Sequence, residues 1–172
     1  LMTSPYKFFV FFVLMIFSQN ILSTKVHGLT VSDIKFNLIS GGEVFLSEYS
    51  GRAILLVNTA SFCGFTKQYG ELQTLWDRYR DNGLVVIGLP SKDFGGQEYD
   101  DPDAIAQFCE VNFSINFPLT MPIRILGDNA HVFFDWVSSE LGKEYLPKWN
   151  FYKYLINPTG QLVSVFPSEI KP

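Results

Sequence analysis

Cysteine and histidine are scarce here, two of each in 172 residues. His27 and His131 stand far apart, with no second ligand at a usual spacing, so a histidine-based metal site is not expected. The cysteines, Cys63 and Cys109, exclude a disulfide-dense scaffold and allow one bridge at most. Basic runs are absent: 13 Lys and Arg face 17 Asp and Glu, for a net charge of −4. A nucleic-acid partner, which wants a basic face, is therefore not expected. Internal repeats and low-complexity tracts are also missing.

What remains is the composition of one folded domain, 47% hydrophobic and 16% aromatic. The N-terminus is different material. Lys7 is followed by ten apolar residues, 8–17, and then by Ser18-Gln19-Asn20. Ten helical residues reach about 15 Å, half a bilayer core. One positive charge ahead of a short apolar run reads as a signal peptide. Continued through Ile21 and Leu22, the same run becomes a marginal membrane anchor. Residues 1–28 are therefore assigned to a signal peptide or N-terminal anchor, and 29–172 to the folded domain. The expected location is exported, periplasmic or secreted, or else membrane-attached.

Within the domain, Gly41-Gly42 marks a hairpin between residues 31–39 and 44–46. Residues 53–57 and 84–89 are continuous apolar runs, suited to strands buried on both faces. Between them Tyr69, Leu72, Leu75, Trp76 and Tyr79 recur at helical spacing up to Asn82-Gly83. Asp101-Pro102 reads as a cap and first residue of a helix running through Ile105, Phe108 and Cys109. Another helix spans 130–141, and Asn157-Pro158-Thr159-Gly160 turns between two last strands. This order predicts an α/β fold with a mixed central sheet flanked by helices, compatible with a thioredoxin-like layout.

Cys63 falls between the first buried strand and a helix start. Free N–H groups of a first turn and the helix dipole favour an anion there, and the thiolate is the nucleophilic form of cysteine. The plainer alternative is a buried cysteine acting as a small hydrophobe.

Three separated motifs favour the first reading. Val57-Asn58-Thr59-Ala60-Ser61-Phe62-Cys63-Gly64-Phe65-Thr66 resembles the first signature of glutathione peroxidases, Phe94-Gly95-Gly96-Gln97-Glu98 the tail of their second, and Trp149-Asn150-Phe151-Tyr152-Lys153-Tyr154-Leu155 their third. The resemblance runs over residues 29–166. It implies a thioredoxin-like fold, reduction of hydroperoxides to alcohol and water, and a catalytic set of Cys63, Gln97, Trp149 and Asn150. It implies no bound cofactor or metal, with glutathione or thioredoxin as reducing co-substrate. The residue types suit the task, since Gln97, Asn150 and Trp149 supply N–H donors that do not titrate. Otherwise Trp149 would read as a core aromatic, and Gln97 and Asn150 as loop polarity.

The departures from the family pattern matter too. Ser91-Lys92-Asp93 stands where Cys-Asn-Gln is usual, which removes a thiol and changes charge near the site, with an expected effect on substrate or reductant preference. The chain stops at Pro172, before most of the family's last helix. Cys109 is the candidate resolving cysteine, one residue earlier than in thioredoxin-dependent relatives; a structural cysteine on the apolar face of its helix is the alternative. A thiol–disulfide oxidoreductase would want Cys-x-x-Cys, but Thr66 holds the second place. A non-catalytic, membrane-tethered redox sensor is the other competing reading.

Overall fold

The computed structural model describes residues 28–172. The N-terminal apolar segment and His27 lie outside the described residues. Among the described residues, no helix is long and apolar enough to cross a membrane.

A short hairpin comes first. Strand β1 (Lys35–Asn37) pairs antiparallel with β2 (Glu43–Phe45), Lys35 opposite Phe45, and the two form a sheet of their own. Gly41 and Gly42 turn the chain with φ of 91° and 80°, a region open mainly to glycine. The strand expected over residues 31–39 is shorter than its pattern. Thr30 donates to Asp33 Oδ2 from both its amide (2.8 Å) and its hydroxyl (2.7 Å), which winds Val31–Asp33 into a 3-10 turn instead.

The central sheet has four strands. Strand β3 (Ala53–Thr59) leads through helix α1 (Gln68–Tyr79) to β4 (Leu84–Pro90), which lies parallel to it. Helices α2 (Pro102–Phe113) and α3 (Val132–Leu141) follow. Strands β5 (Lys153–Ile156) and β6 (Leu162–Phe166) then complete the sheet in the order β4-β3-β5-β6, with β5 antiparallel to both neighbours. The sheet is mixed, as expected.

Alternation explains the continuous apolar run of β3. Ile54 and Leu56 face a layer holding Phe36 and Val44 of the hairpin and Phe133 and Phe134 of α3. Leu55 and Val57 face the opposite layer, with Tyr69 and Leu72 of α1 and Ile105 and Cys109 of α2. Each leucine buried this way stabilises the fold by roughly 1.5–3 kcal/mol. Gly88 of β4 is needed for close approach: a Cβ there would sit 2.5 Å from Leu119 Cδ2. The segment at 118–120 instead bonds across it, Gly88 N to Pro118 O and Thr120 N to Gly88 O, each at 2.9 Å, and so covers the β4 edge.

The cap of α2 is as expected. Asp101 Oδ1 accepts from Asp103 N at 3.1 Å, with Pro102 in the first helical position. Ser114 closes the helix in the left-handed region, φ 53°. Helix α3 starts at Val132, two residues later than its pattern suggests, because His131 serves as its cap: Nδ1 accepts from Phe133 N at 3.2 Å while Nε2 reaches Lys35 O at 3.0 Å.

Candidate active site

Cys63 stands five residues ahead of α1, not in its first turn. Residues 61–67 wind through successive turns before the helix begins at Gln68. The expected cluster of first-turn N–H groups is replaced by one donor, Phe65 N, directed at Cys63 Sγ from 3.4 Å. A donor aimed at sulfur stabilises negative charge on it. Thr66 holds the turn: its hydroxyl accepts from Cys63 N at 2.9 Å and donates to Ala60 O at 2.8 Å. Cys63 itself is 7% exposed.

The third motif is held against the first by a buried asparagine. Asn58, in β3, donates from Nδ2 to Trp149 O at 3.0 Å and accepts at Oδ1 from Tyr152 N at 2.9 Å. Its backbone bonds Phe151 N at 2.6 Å and Tyr152 O at 3.2 Å. Phe151 sits between them at φ 66°, rare for a bulky residue, and that reversal separates the exposed Trp149 from the buried Phe151. Lys153, 2% exposed, donates from Nζ to Phe151 O at 2.8 Å. Burial brings its ammonium down to about 8, against the opposing pull of Glu71 and Glu169.

Gln97 and Asn150 meet directly, Asn150 Nδ2 donating to Gln97 Oε1 at 3.1 Å. The Gln97 carbonyl accepts from Phe62 N at 2.9 Å, which ties this loop to the residue before Cys63. The Trp149 ring lies against Phe94, with centroids 6.0 Å apart, and beside Gly95. Trp149 is 39% exposed, so it is no core aromatic. Trp136 is buried in the core, whereas Trp76 is only partly buried and donates to Asn116 Oδ1 at 2.8 Å. Thus Gln97, Trp149 and Asn150 are gathered about the 94–97 loop, and Gln97 ties that loop to the one that carries Cys63.

The altered charges of the second motif are turned to neighbours. Lys92 pairs with Asp100. Asp93 accepts from Ile125 N (2.6 Å) and Leu126 N (2.9 Å) and pairs with Arg124 at 3.0 Å. Ser91 is buried and accepts from Asp93 N at 3.3 Å.

Cys109 lies in the last turns of α2, fully buried, in the same core layer as Cys63. The residues preceding the two cysteines touch: the Phe62 and Phe108 rings are 6.2 Å apart and share Tyr99 as a third member. Burial pushes the Cys109 thiol up to about 11; the Tyr69 hydroxyl opposes this and the Glu98 charge adds to it.

The glutathione peroxidase family model matches residues 31–138, which include Cys63, Gln97 and Cys109. The glutathione peroxidase homolog BsaA of Halalkalibacterium halodurans is 39% identical over 146 residues, covering 84% of this chain and 93% of its own. The chain belongs to the glutathione peroxidase family. It is a peroxidase, an oxidoreductase on a thioredoxin-like α/β fold. The glutathione peroxidase-like peroxiredoxin gpx1 of Schizosaccharomyces pombe is 41% identical over 129 residues, with 73% of this chain and 81% of that one covered. Among solved structures, Trgpx in its apo form is 33% identical, covers 84% of this chain and 89% of that one, and has a TM-score of 0.66.

The site of this peroxidase includes residues that spacing alone did not single out. Asn58 carried a faint signal, a polar residue ending an apolar strand. Thr66, Glu98 and Lys153 stood only inside the quoted motifs, with no role assigned to them.

Proposed function

We propose that Cys63 reduces hydrogen peroxide and organic hydroperoxides through a sulfenic acid, and so protects against oxidative stress. The observation that carries this reading is the Asn150–Gln97 bond beside the Cys63 loop, where three separate motifs converge. The Cys63 thiolate attacks one peroxide oxygen, the O–O bond breaks, and the departing alkoxide takes a proton to leave as alcohol. The bond with Asn150 occupies the Gln97 oxygen. That leaves the Gln97 NH2 and the Trp149 indole N–H to steady the leaving oxygen. Cys109 then condenses with the sulfenic acid, and a thioredoxin-type reductant reopens the disulfide in preference to glutathione. Names among the relatives support both halves: a peroxiredoxin in yeast, and a hydroperoxy fatty acid reductase in Synechocystis.

Cys63→Ser is the test. It is expected to abolish peroxide turnover with the fold retained; undiminished turnover would end the proposal. Thiol–disulfide exchange is the weaker reading, because Thr66, where a second thiol would stand, has its hydroxyl engaged with Cys63 N and Ala60 O. Export or membrane attachment is supported by Lys7 and the apolar run behind it. N-terminal sequencing of protein recovered from each cell fraction checks it, and full-length soluble cytoplasmic protein contradicts it.

A further inference from the structure

Three consecutive carbonyls of the third motif are each held by a different buried side chain. Asn58 Nδ2 donates to Trp149 O at 3.0 Å, Lys153 Nζ to Phe151 O at 2.8 Å, and Ser168 Oγ to Asn150 O at 2.6 Å. Asn58 and Lys153 belong to the quoted motifs. Ser168 does not: it lies beyond residue 166, where the resemblance ends, and beyond the residues that the family model matches. It is 1% exposed and follows β6 in a tight turn, closed by Ile170 N donating to Pro167 O at 3.1 Å. Its own carbonyl accepts from Gln68 Nε2, again at 2.6 Å. Gln68 is buried and is the first residue of α1, the helix that follows Cys63. One residue therefore joins the backbone of Asn150 to the start of that helix, across sequence separations of 18 and 100 residues.

The place of these two bonds gives Ser168 a role. Asn150 has to present Nδ2 to Gln97 Oε1 at 3.1 Å and to Phe94 O at 3.4 Å. Both contacts run from one nitrogen. The other end of the amide, Asn150 Oδ1, is buried and makes no hydrogen bond to a protein atom among the described residues, so it adds no second anchor. The residue that follows, Phe151, is held at φ 66°, a conformation that its surroundings must enforce. The Asn150 amide is thus aimed by its backbone, and the bond to the Asn150 carbonyl comes from Ser168. We propose that Ser168 is a positioning residue for peroxide reduction. Its hydroxyl and carbonyl form a strut that sets the Asn150 backbone against the start of α1 and so keeps Nδ2 on Gln97. This rests on the reading above in which the Asn150–Gln97 pair serves the reaction at Cys63. Ser168 acts through Asn150 and takes no part in the bond-breaking step. Loss of its hydroxyl leaves a buried carbonyl without that donor and lets the amide drift. A misplacement of about 1 Å can cost on the order of 100-fold in a reaction that depends on orientation, and a partial release should cost about tenfold.

The experiment follows the oxidation of Cys63 alone. Reduced protein is mixed with hydrogen peroxide and quenched with an alkylating agent at set times. Mass spectrometry reads the loss of the free Cys63 thiol, at a temperature where circular dichroism shows each variant folded. Ser168→Ala is expected to slow the oxidation about tenfold, and Ser168→Thr, which keeps the hydroxyl, to stay within about threefold of wild type. Added to Asn150→Ala, Ser168→Ala should cost less than about twofold more, because residues that act as a unit are not additive. A wild-type rate in Ser168→Ala, with only the urea midpoint lowered, overturns the proposal and leaves the serine as a support of the fold. A tenfold loss that persists in the Asn150→Ala background overturns it too, as does a Ser168→Thr protein as slow as Ser168→Ala. Should Ser168→Ala fail to fold, Gln68→Met releases the other end of the strut. It should slow the oxidation severalfold, and a wild-type rate there overturns the strut. A wild-type rate in Asn150→Ala is a different failure, removing the role of the Asn150–Gln97 pair and the strut with it.

Discussion

Asn150 Nδ2 donates to Gln97 Oε1 at 3.1 Å, joining two motifs separated by 53 residues. The bond fixes which end of the Gln97 amide is left to donate. Asn150 also donates to Phe94 O at 3.4 Å, so it sets the height of the whole Gln97 loop. Asn150→Ala should release both contacts and lower kcat/KM for peroxide by a factor of about 100, the scale seen when one charge-stabilising donor is lost or misplaced. Steady-state kinetics with hydrogen peroxide checks this; a loss below threefold would leave the pair as ordinary loop polarity.

Asn58 should matter for a separate reason. Asn58→Ala removes two side-chain hydrogen bonds that clamp the loop from Trp149 to Tyr152 and leaves the backbone groups Trp149 O and Tyr152 N without these partners. Each buried group left unsatisfied costs about 1–3 kcal/mol. The expected result is a fall in the urea midpoint together with a fall in kcat, because Trp149 loses its anchor. A destabilised protein with wild-type kcat would show that the clamp supports the fold alone.

Why were the four candidate residues legible in the sequence while the residues that hold them in place were not? The apolar runs at 53–57 and 84–89 announce β3 and β4, because strands buried on both faces need no polar residues. Gln97, Trp149 and Asn150 were visible only as parts of motifs. Asn58 gave only a faint signal, because one polar residue in an apolar strand looks like the end of the strand. The offset between Cys63 and α1 was not legible either, because the Thr66 hydroxyl, which bonds the Ala60 carbonyl and the Cys63 amide, holds a turn there. Glu98 and Lys153 carried no sign of burial in the sequence, yet the fold buries both.

Lys153 carries a pH signature. Its folded-state pKa of about 8 lies below the ordinary lysine value of 10.5. The folded state therefore holds fewer protons than the unfolded chain between those limits. Burial of the ammonium costs stability in full below pH 8, and this cost is relieved as pH rises toward 10.5. Lys153→Met removes the titration. Relative to wild type, the variant should be more favourable at pH 7 than at pH 10, by at most about 3 kcal/mol. Paired urea melts at the two pH values measure this difference, and a difference independent of pH would mean that the amine does not titrate in that window.

Cys109 has the opposite sign. Its folded-state pKa of about 11 lies above the ordinary thiol value of 9.0. The buried neutral thiol contributes stability that is complete below pH 9 and lost as pH rises through 11. Comparison of wild type with Cys109→Ala should show the advantage of wild type shrinking across that window by up to about 2 kcal/mol. The same burial predicts selective chemistry: iodoacetamide at pH 8 should modify Cys63 well before Cys109, and equal labelling would contradict the assignment.

The two cysteines should nonetheless join when Cys63 is oxidised. They share one core layer, and the rings of Phe62 and Phe108 meet beside them. Cys109 sits near the end of α2, whose last turn is closed at the left-handed Ser114 by bonds from Ser114 N to the Glu110 carbonyl at 2.8 Å and from Ile115 N to the Cys109 carbonyl at 3.3 Å. Disulfide geometry tolerates Cα separations only up to about 7 Å, so the bond requires the two cysteine backbones to come within that distance. Ser91 offers no substitute, since a hydroxyl does not form a disulfide, and it is buried and bonded to Asp93 N. One equivalent of peroxide should therefore give a protein lighter by two hydrogens, with Cys63 and Cys109 linked in a tryptic map. Cys109→Ser should still form the sulfenic acid, lose thioredoxin-supported turnover, and progress to sulfinic acid at rising peroxide because nothing caps Cys63. A stable sulfenic acid or a glutathione adduct on wild-type Cys63, with Cys109 still free, would make Cys109 a packing residue and glutathione the direct reductant.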